Sequence, residues 1–261
     1  MNPLVDVHAH LDHALFKKDL GEVIQRAEQA GVKAIITNGT NRPSNENALA
    51  LAKKYPIVKA ALGFYPIDLL GFGPDEAGMP VQKGPINLDE ELDFIKKNKD
   101  NVVAIGEVGM DFHWDKEQHK KQEENFHQII EFASKLKKPL IIHSRKAEAK
   151  VVEILETQSA KKVIMHCFSG KKSLVKKGLD LNLNFSIPAN VERSQSFQMI
   201  VNLTPMDNLL TETDAPWLGP NRDERNEPKN VALTVKKIAE LKKLDEKEAA
   251  LLIFKKYKEL F

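Results

Sequence analysis

His8 and His10 stand two residues apart at the end of an apolar run, "LVDVHAH" (4–10), and Asp6 precedes the first by two. Alternate residues of a strand share a face, so all three polar groups can line one side of one strand end. Imidazole and carboxylate are ligand types for zinc, manganese and related divalent ions. Four more runs end in ionisable groups. "VVAIGEVG" (102–109) carries Glu107, "PLIIHSR" (139–145) carries His143 and Arg145, "KVIMHCF" (162–168) carries His166, and "DNLLTETD" (207–214) carries Glu212 and Asp214.

His8, His10, Glu107, His143, His166 and Asp214 are too many donors for one open catalytic site, which takes three protein ligands and a water. Without compensation, clustered carboxylates repel and desolvated imidazoles are costly. The set suits two divalent ions roughly 3.5–4 Å apart, bridged by a carboxylate and a hydroxide. A lone histidine after an apolar run is more often a core or rim residue. The agreement of five strand ends is what carries the metal reading.

The elements that must position these groups alternate. Strand-like runs at 4–8, 32–39, 58–66, 102–109, 139–145, 162–168, 183–188 and 207–214 are short and rich in Val, Ile and Leu, as strands buried on both faces are. Helical patterns follow at 19–30, 44–55, 88–98, 117–137, 146–158, 171–179, 195–203, 228–242 and 246–259. Eight β/α units over 261 residues predict an α/β fold, a (β/α)8 TIM barrel forming one domain over 1–261. In such a barrel all strand ends open on one face, so donors distant in sequence converge there. The Gly/Pro-rich stretch 67–86 reads as a rim loop. No GxGxxG follows the first strand, which removes the usual dinucleotide signal from the open-sheet alternative.

Composition narrows the class. With 42% hydrophobic and 29% charged residues the chain is globular, and a net charge of +2 gives no bulk signal for a polyanion binder. Cys167 is the only cysteine, which excludes an internal disulfide. Strand alternation turns it from His166 toward the helical layer, as packing. No apolar run reaches a membrane span and "MNPLVDVHAH" has no signal-peptide pattern, so a cytoplasmic protein without membrane attachment is expected. His119 and His127 fall on the long helix, where a solvated face is expected. His13 and His113 lack strand-end placement, and the lysine pairs read as solvated helix faces. Nothing in the chain calls for an obligate protein partner.

The blocks "VDVHAHLD" (5–12), "AIGEVGMDF" (104–112), "PLIIHSRKA" (139–147), "MHCFSG" (165–170), "LLTETDAPWL" (209–218) and "RNEP" (225–228) together resemble the TatD-type metal-dependent deoxyribonucleases. The resemblance implies a barrel of the amidohydrolase-like superfamily with two divalent metals, magnesium or manganese for activity and zinc as an alternative occupant. His8, His10 and Asp214 would hold one ion, His143 and His166 the other, with Glu107 between them. The implied reaction is hydrolysis of DNA phosphodiesters, often from the 3′ end of single strands, with Asp214 as metal ligand and general base. Arg145 is suited to fork onto phosphate oxygens; Arg225 and Asn226 are candidates for the same work or for loop structure. Glu212 either orients Asp214 or faces the core. The sequence departs from the family at "GFYP" (63–66), where many members carry histidine at the position of Tyr65. A phenol can donate to phosphate but cannot take up a proton as imidazole does, and packing at the rim is the competing reading. A small-molecule hydrolase of phosphotriesters or lactones is the first alternative, although several of those carry a carbamylated lysine where Glu107 stands. A non-catalytic metal-binding barrel is the second.

Overall fold

β1 (Leu4–Ala9) is buried along its whole length, as a strand covered on both faces must be. Helix and strand then alternate in a computed structural model that describes residues 2–72, 77–82 and 86–261. The order is α1 (Leu20–Gln29), β2 (Val32–Asn38), α2 (Arg42–Lys54), β3 (Val58–Leu62), α3 (Pro66–Leu69), α4 (Leu88–Lys97), β4 (Val102–Gly109), α5 (His119–Leu136), β5 (Leu140–His143), α6 (Glu148–Thr157), β6 (Val163–Met165), α7 (Lys172–Asp180), β7 (Asn184–Ile187), α8 (Gln195–Leu203), β8 (Leu209–Thr211), α9 (Val231–Lys242) and α10 (Glu246–Leu260). The strands pair in parallel in chain order, β1 to β8.

The seam between β8 and β1 closes the (β/α)8 TIM barrel. Asp214 N–H donates to the His8 carbonyl and His10 N–H to the Ala215 carbonyl, both at 2.8 Å. Asp6 staples the same seam: its carboxylate accepts the Thr213 N–H at 2.9 Å, the Thr213 hydroxyl and the His8 N–H at 3.2 Å. Burial holds the Asp6 carboxyl well above the usual range, and these hydrogen bonds only partly offset it. Asp6 therefore shares the strand-end pattern of His8 and His10 but serves closure of the barrel.

Ile35, Ile36, Ile105, Ile141, Ile142 and Ile164 are fully enclosed between the strands and the helical shell. Each contributes roughly 1.5–3 kcal/mol by leaving water. Local chemistry sets several helix ends. Asn41 caps α2 by accepting the Ser44 N–H at 3.1 Å, and Asp245 caps α10 by accepting from Lys247 and Glu248.

The strands are shorter than the apolar runs that announce them. The third stops at Leu62 rather than 66, the fifth at His143, the sixth at Met165 and the eighth at Thr211. Two glycines let the strand tops crowd together. A Cβ on Gly63 would press against the backbone of Gly106 and Glu107; one on Gly109, whose φ is +142°, would overlap the His143 carbonyl. Within the stretch read as a loop over 67–86, α3 forms one helical turn with Pro66 in its first position. Residues 73–76 and 83–85 of that stretch lie outside the described residues.

Candidate metal centre

The six strand-end donors converge at the C-terminal mouth of the barrel. His8 Nε2 and His10 Nε2 lie 3.1 Å apart, each 3.4 Å from Glu107 Oε2 and 3.6 Å from Asp214 Oδ1. The other oxygen of Glu107, Oε1, lies 2.9 Å from His143 Nδ1, and His166 Nε2 lies 3.9 Å from Asp214 Oδ1. The two carboxylate oxygens of Glu107 thus face two different sets of imidazoles. Among the described residues these six donors form three overlapping groups, His8 with His10 and Glu107, His8 with His166 and Asp214, and Glu107 with His143 and His166, and a fourth joins His166 to Cys167 and Glu212.

The outward ring nitrogens are held by acceptors. His10 Nδ1 meets the Asn38 carbonyl at 3.1 Å, His166 Nδ1 meets Glu212 Oε2 at 2.9 Å, and His143 Nε2 meets Asp111 Oδ2 at 2.9 Å. An acceptor on one ring nitrogen keeps the proton there and turns the lone pair of the other inward, which is how proteins orient metal-binding histidines. His8 lies stacked on His166, ring centroids 3.6 Å apart, and its buried Nδ1 has no hydrogen-bond partner among the described residues.

The electrostatics fit a cation site. Burial, aided by His166, depresses His8 to about 3. Burial also opposes charge on His143 and His166, but Asp111 and Glu107 outweigh it for the first and Glu212 and Asp214 for the second, lifting them to about 10 and about 9. Without a cation the buried carboxylates draw protons onto their imidazole neighbours. A divalent cation at the inward nitrogens would supply the same compensation, and imidazole nitrogens with carboxylate oxygens are a usual ligand set for such ions. Asp214 adopts φ +55°, an uncommon conformation for a residue with a side chain, fixed by its N–H bond to His8 and by the Trp217 N–H on its carbonyl.

A family model described as TatD related DNase matches residues 5–261. The chain belongs to the TatD family. It is 36% identical over 99% of its length to 98% of an uncharacterized metal-dependent hydrolase, YabD, of Bacillus subtilis. It is 34% identical to deoxyribonuclease TATDN3 of Homo sapiens, covering 94% of this chain and 89% of that one. With the 3′-5′ ssDNA/RNA exonuclease TatD of Salmonella typhimurium the identity is 30%, over 90% of each chain. The crystal structure of YJJV, a TatD homologue from Escherichia coli, superposes with a TM-score of 0.87 at 27% identity, covering 99% of this chain and 97% of that one.

A cavity of about 430 Å³ opens above the donors of this TatD barrel, lined among others by Tyr65, Arg145, Cys167, Phe197 and Trp217. Arg145 is exposed at its edge. Tyr65 lines the cavity, but its hydroxyl donates to Asp111 Oδ2 at 2.8 Å. Arg225 and Asn226 are elsewhere. Arg225 spans Asp19, Glu227 and the Leu15 carbonyl at 2.6–2.9 Å. The buried Asn226 amide donates to the Thr213 and Trp217 carbonyls and accepts from Glu227 and Asn230. Of the two readings for these residues, loop structure is the one their hydrogen bonds support.

Cys167 corrects the strand-alternation reading. β6 ends at Met165, and Cys167, at φ +44°, turns into the cavity wall while its N–H donates to Glu212. Glu212 orients His166 rather than Asp214, with the Ser186 hydroxyl as a third donor. His119 and His127 are not on a bare solvated face: the first stacks on Phe112, the second meets Gln158. Asp111 was missed by the reading of strand ends. Glu107, Gly109 and Asp111 continue the same two-residue spacing, a signal that points beyond Glu107.

Proposed function

We propose that the chain is a nuclease that hydrolyses DNA phosphodiesters at a pair of divalent cations, acting from the 3′ end of single strands. The observation that carries this reading is Glu107, whose Oε1 and Oε2 face His143 and the His8–His10 pair respectively. His8, His10 and Asp214 would hold one cation and His143 and His166 the other, with Glu107 placed to serve both; magnesium or manganese would support turnover. Such ions supply Lewis-acid stabilisation of phosphoryl charge and a water acidic enough to ionise near neutrality.

The remaining work belongs to the protein. Burial opposes the charge on Asp214, yet His166, His10 and His8 keep its carboxyl below the ordinary range, so it is ionised and able to accept a proton from the attacking water. Asp111 and Glu212 fix the rings of His143 and His166. Arg145 reaches the cavity edge with a guanidinium shaped for two phosphate oxygens. The name of the Salmonella relative, a 3′-5′ ssDNA/RNA exonuclease, supports the polarity and the single-stranded substrate.

The test is chelation followed by rescue on end-labelled single strands, duplex DNA and RNA. The reading expects loss of cleavage with EDTA, recovery with manganese or magnesium, faster cleavage of single strands than of duplex, and no recovery in Glu107→Ala. Cleavage that survives chelation, or full activity in Glu107→Ala, contradicts it.

A further inference from the structure

Trp114 is 48% exposed, a large aromatic surface left in water next to the cavity. It is not a loose surface residue. Its backbone N–H donates to Asp111 Oδ1 at 3.0 Å, beside the backbone N–H of His113 at 2.8 Å, while Oδ2 of the same carboxylate accepts from His143. Gln122 grips Asp111 from both sides, accepting its N–H at 2.7 Å and donating to its carbonyl at 2.9 Å. Asp115 holds the far end of the loop by accepting from Glu117 and Gln118. The backbone from which the indole projects is therefore anchored, through one carboxylate, to a histidine of the candidate metal centre.

Arg145 links the indole to the cavity. Its guanidinium carbon stands 5.4 Å from the centre of the Trp114 ring, and the same side chain lines the cavity above the donors. Phe112 N–H donates to the Arg145 carbonyl at 2.9 Å, which ties the two loops together. Among the described residues no carboxylate lies within ion-pair distance of this guanidinium, so its charge is available to an anionic ligand. An aromatic ring with an available guanidinium over one face is the pairing that single-stranded nucleic acids use, the ring for a base and the guanidinium for a phosphate. A base within a duplex is stacked on both faces and cannot offer one to an indole.

We propose that Trp114 is the stacking platform for one base of a single-stranded substrate, with Arg145 on the phosphate beside it, and that this pair selects single strands. The inference rests on the nuclease reading for its substrate class, but it can be tested apart from cleavage.

The experiment is equilibrium binding of a short, hydrolysis-resistant phosphorothioate single strand to the full chain. An abasic residue is walked through the positions near the 3′ end, in wild type, Trp114→Ala and Trp114→Phe. At one position, wild type loses roughly 5- to 150-fold in affinity on removal of the base, the range that a base–aromatic stack is worth. In Trp114→Ala the same removal changes affinity less than about twofold, and Trp114→Phe restores most of the sensitivity. Identical profiles in wild type and Trp114→Ala overturn the proposal, as does a wild type with no base-sensitive position, even if it cuts the unmodified strand. The expected binding pattern in a protein that cuts no strand with manganese present upholds this inference and overturns the nuclease reading.

Discussion

Asp111 Oδ2 receives both His143 Nε2, at 2.9 Å, and the Tyr65 hydroxyl, at 2.8 Å. One buried carboxylate thus sets the tautomer of a candidate metal-site imidazole while engaging the rim residue that replaces the family's common histidine. Asp111→Ala is expected to weaken manganese affinity about 10–100-fold, the usual cost of losing a carboxylate behind a ligating histidine. Asp111→Asn recovers little of it, because both oxygens accept hydrogen bonds and an amide turns one into a donor. Calorimetric titration of the chelated protein checks this; affinity within twofold of wild type in both variants contradicts it.

Glu212 performs the matching task for His166 and also accepts from Cys167 N–H and the Ser186 hydroxyl. Glu212→Gln leaves a buried donor facing a donor. It is expected to cost about 1–3 kcal/mol of stability, read from denaturant midpoints. A midpoint unchanged from wild type would show that the carboxylate is not needed there.

Arg225 joins α1 to the loop after β8 through Asp19 and Glu227, where Arg26 also binds. Arg225→Ala is expected to cost about 1 kcal/mol and to leave KM for single-stranded DNA unchanged. The hydrogen bond from Arg225, ahead of the smaller opposing effect of burial, holds Asp19 at about 2, below its ordinary 3.8. A depressed carboxyl contributes stability that is fully present above its unfolded value and is lost as pH falls through the folded one. The gap between wild type and Arg225→Ala in urea midpoints should therefore be constant from pH 7 to about 5 and narrow from about 4 toward 2. A gap that widens on acidification contradicts this, and a raised KM would return Arg225 to the substrate site.

Gly109 sits where a Cβ would overlap the His143 carbonyl, at a φ of +142° that side chains avoid. Gly109→Ala is expected to destabilise the barrel by more than about 2 kcal/mol and to lower metal affinity with it, because β4 and β5 must separate. Thermal melts with and without manganese read both effects, and a wild-type melting temperature would refute the close approach.

The barrel and its donors are legible in the sequence because both obey short-range periodicity. "LVDVHAH", "AIGEVG" and "PLIIHS" name a buried strand and the polar residue at its end in one phrase. What periodicity cannot carry is contact across strands. Glu212 reaches His166 over 46 residues and Asp111 reaches His143 over 32, so neither role can be read from local spacing. Cys167 was misplaced for a different reason: alternation holds only while the chain is extended, and β6 ends two residues earlier. Arg225 and Asn226 lie in a loop whose carboxylate and carbonyl partners come from the segment before α1 and from the turn after β8, which a one-dimensional reading cannot supply.

The most direct test of the metal centre is anomalous diffraction from crystals of the chain soaked in manganese. Two peaks about 3.5–4 Å apart are expected, one against His8, His10 and Asp214 and the other against His143 and His166, with Glu107 touching both. A single peak, or manganese bound away from these six residues, would contradict a two-ion site bridged by Glu107.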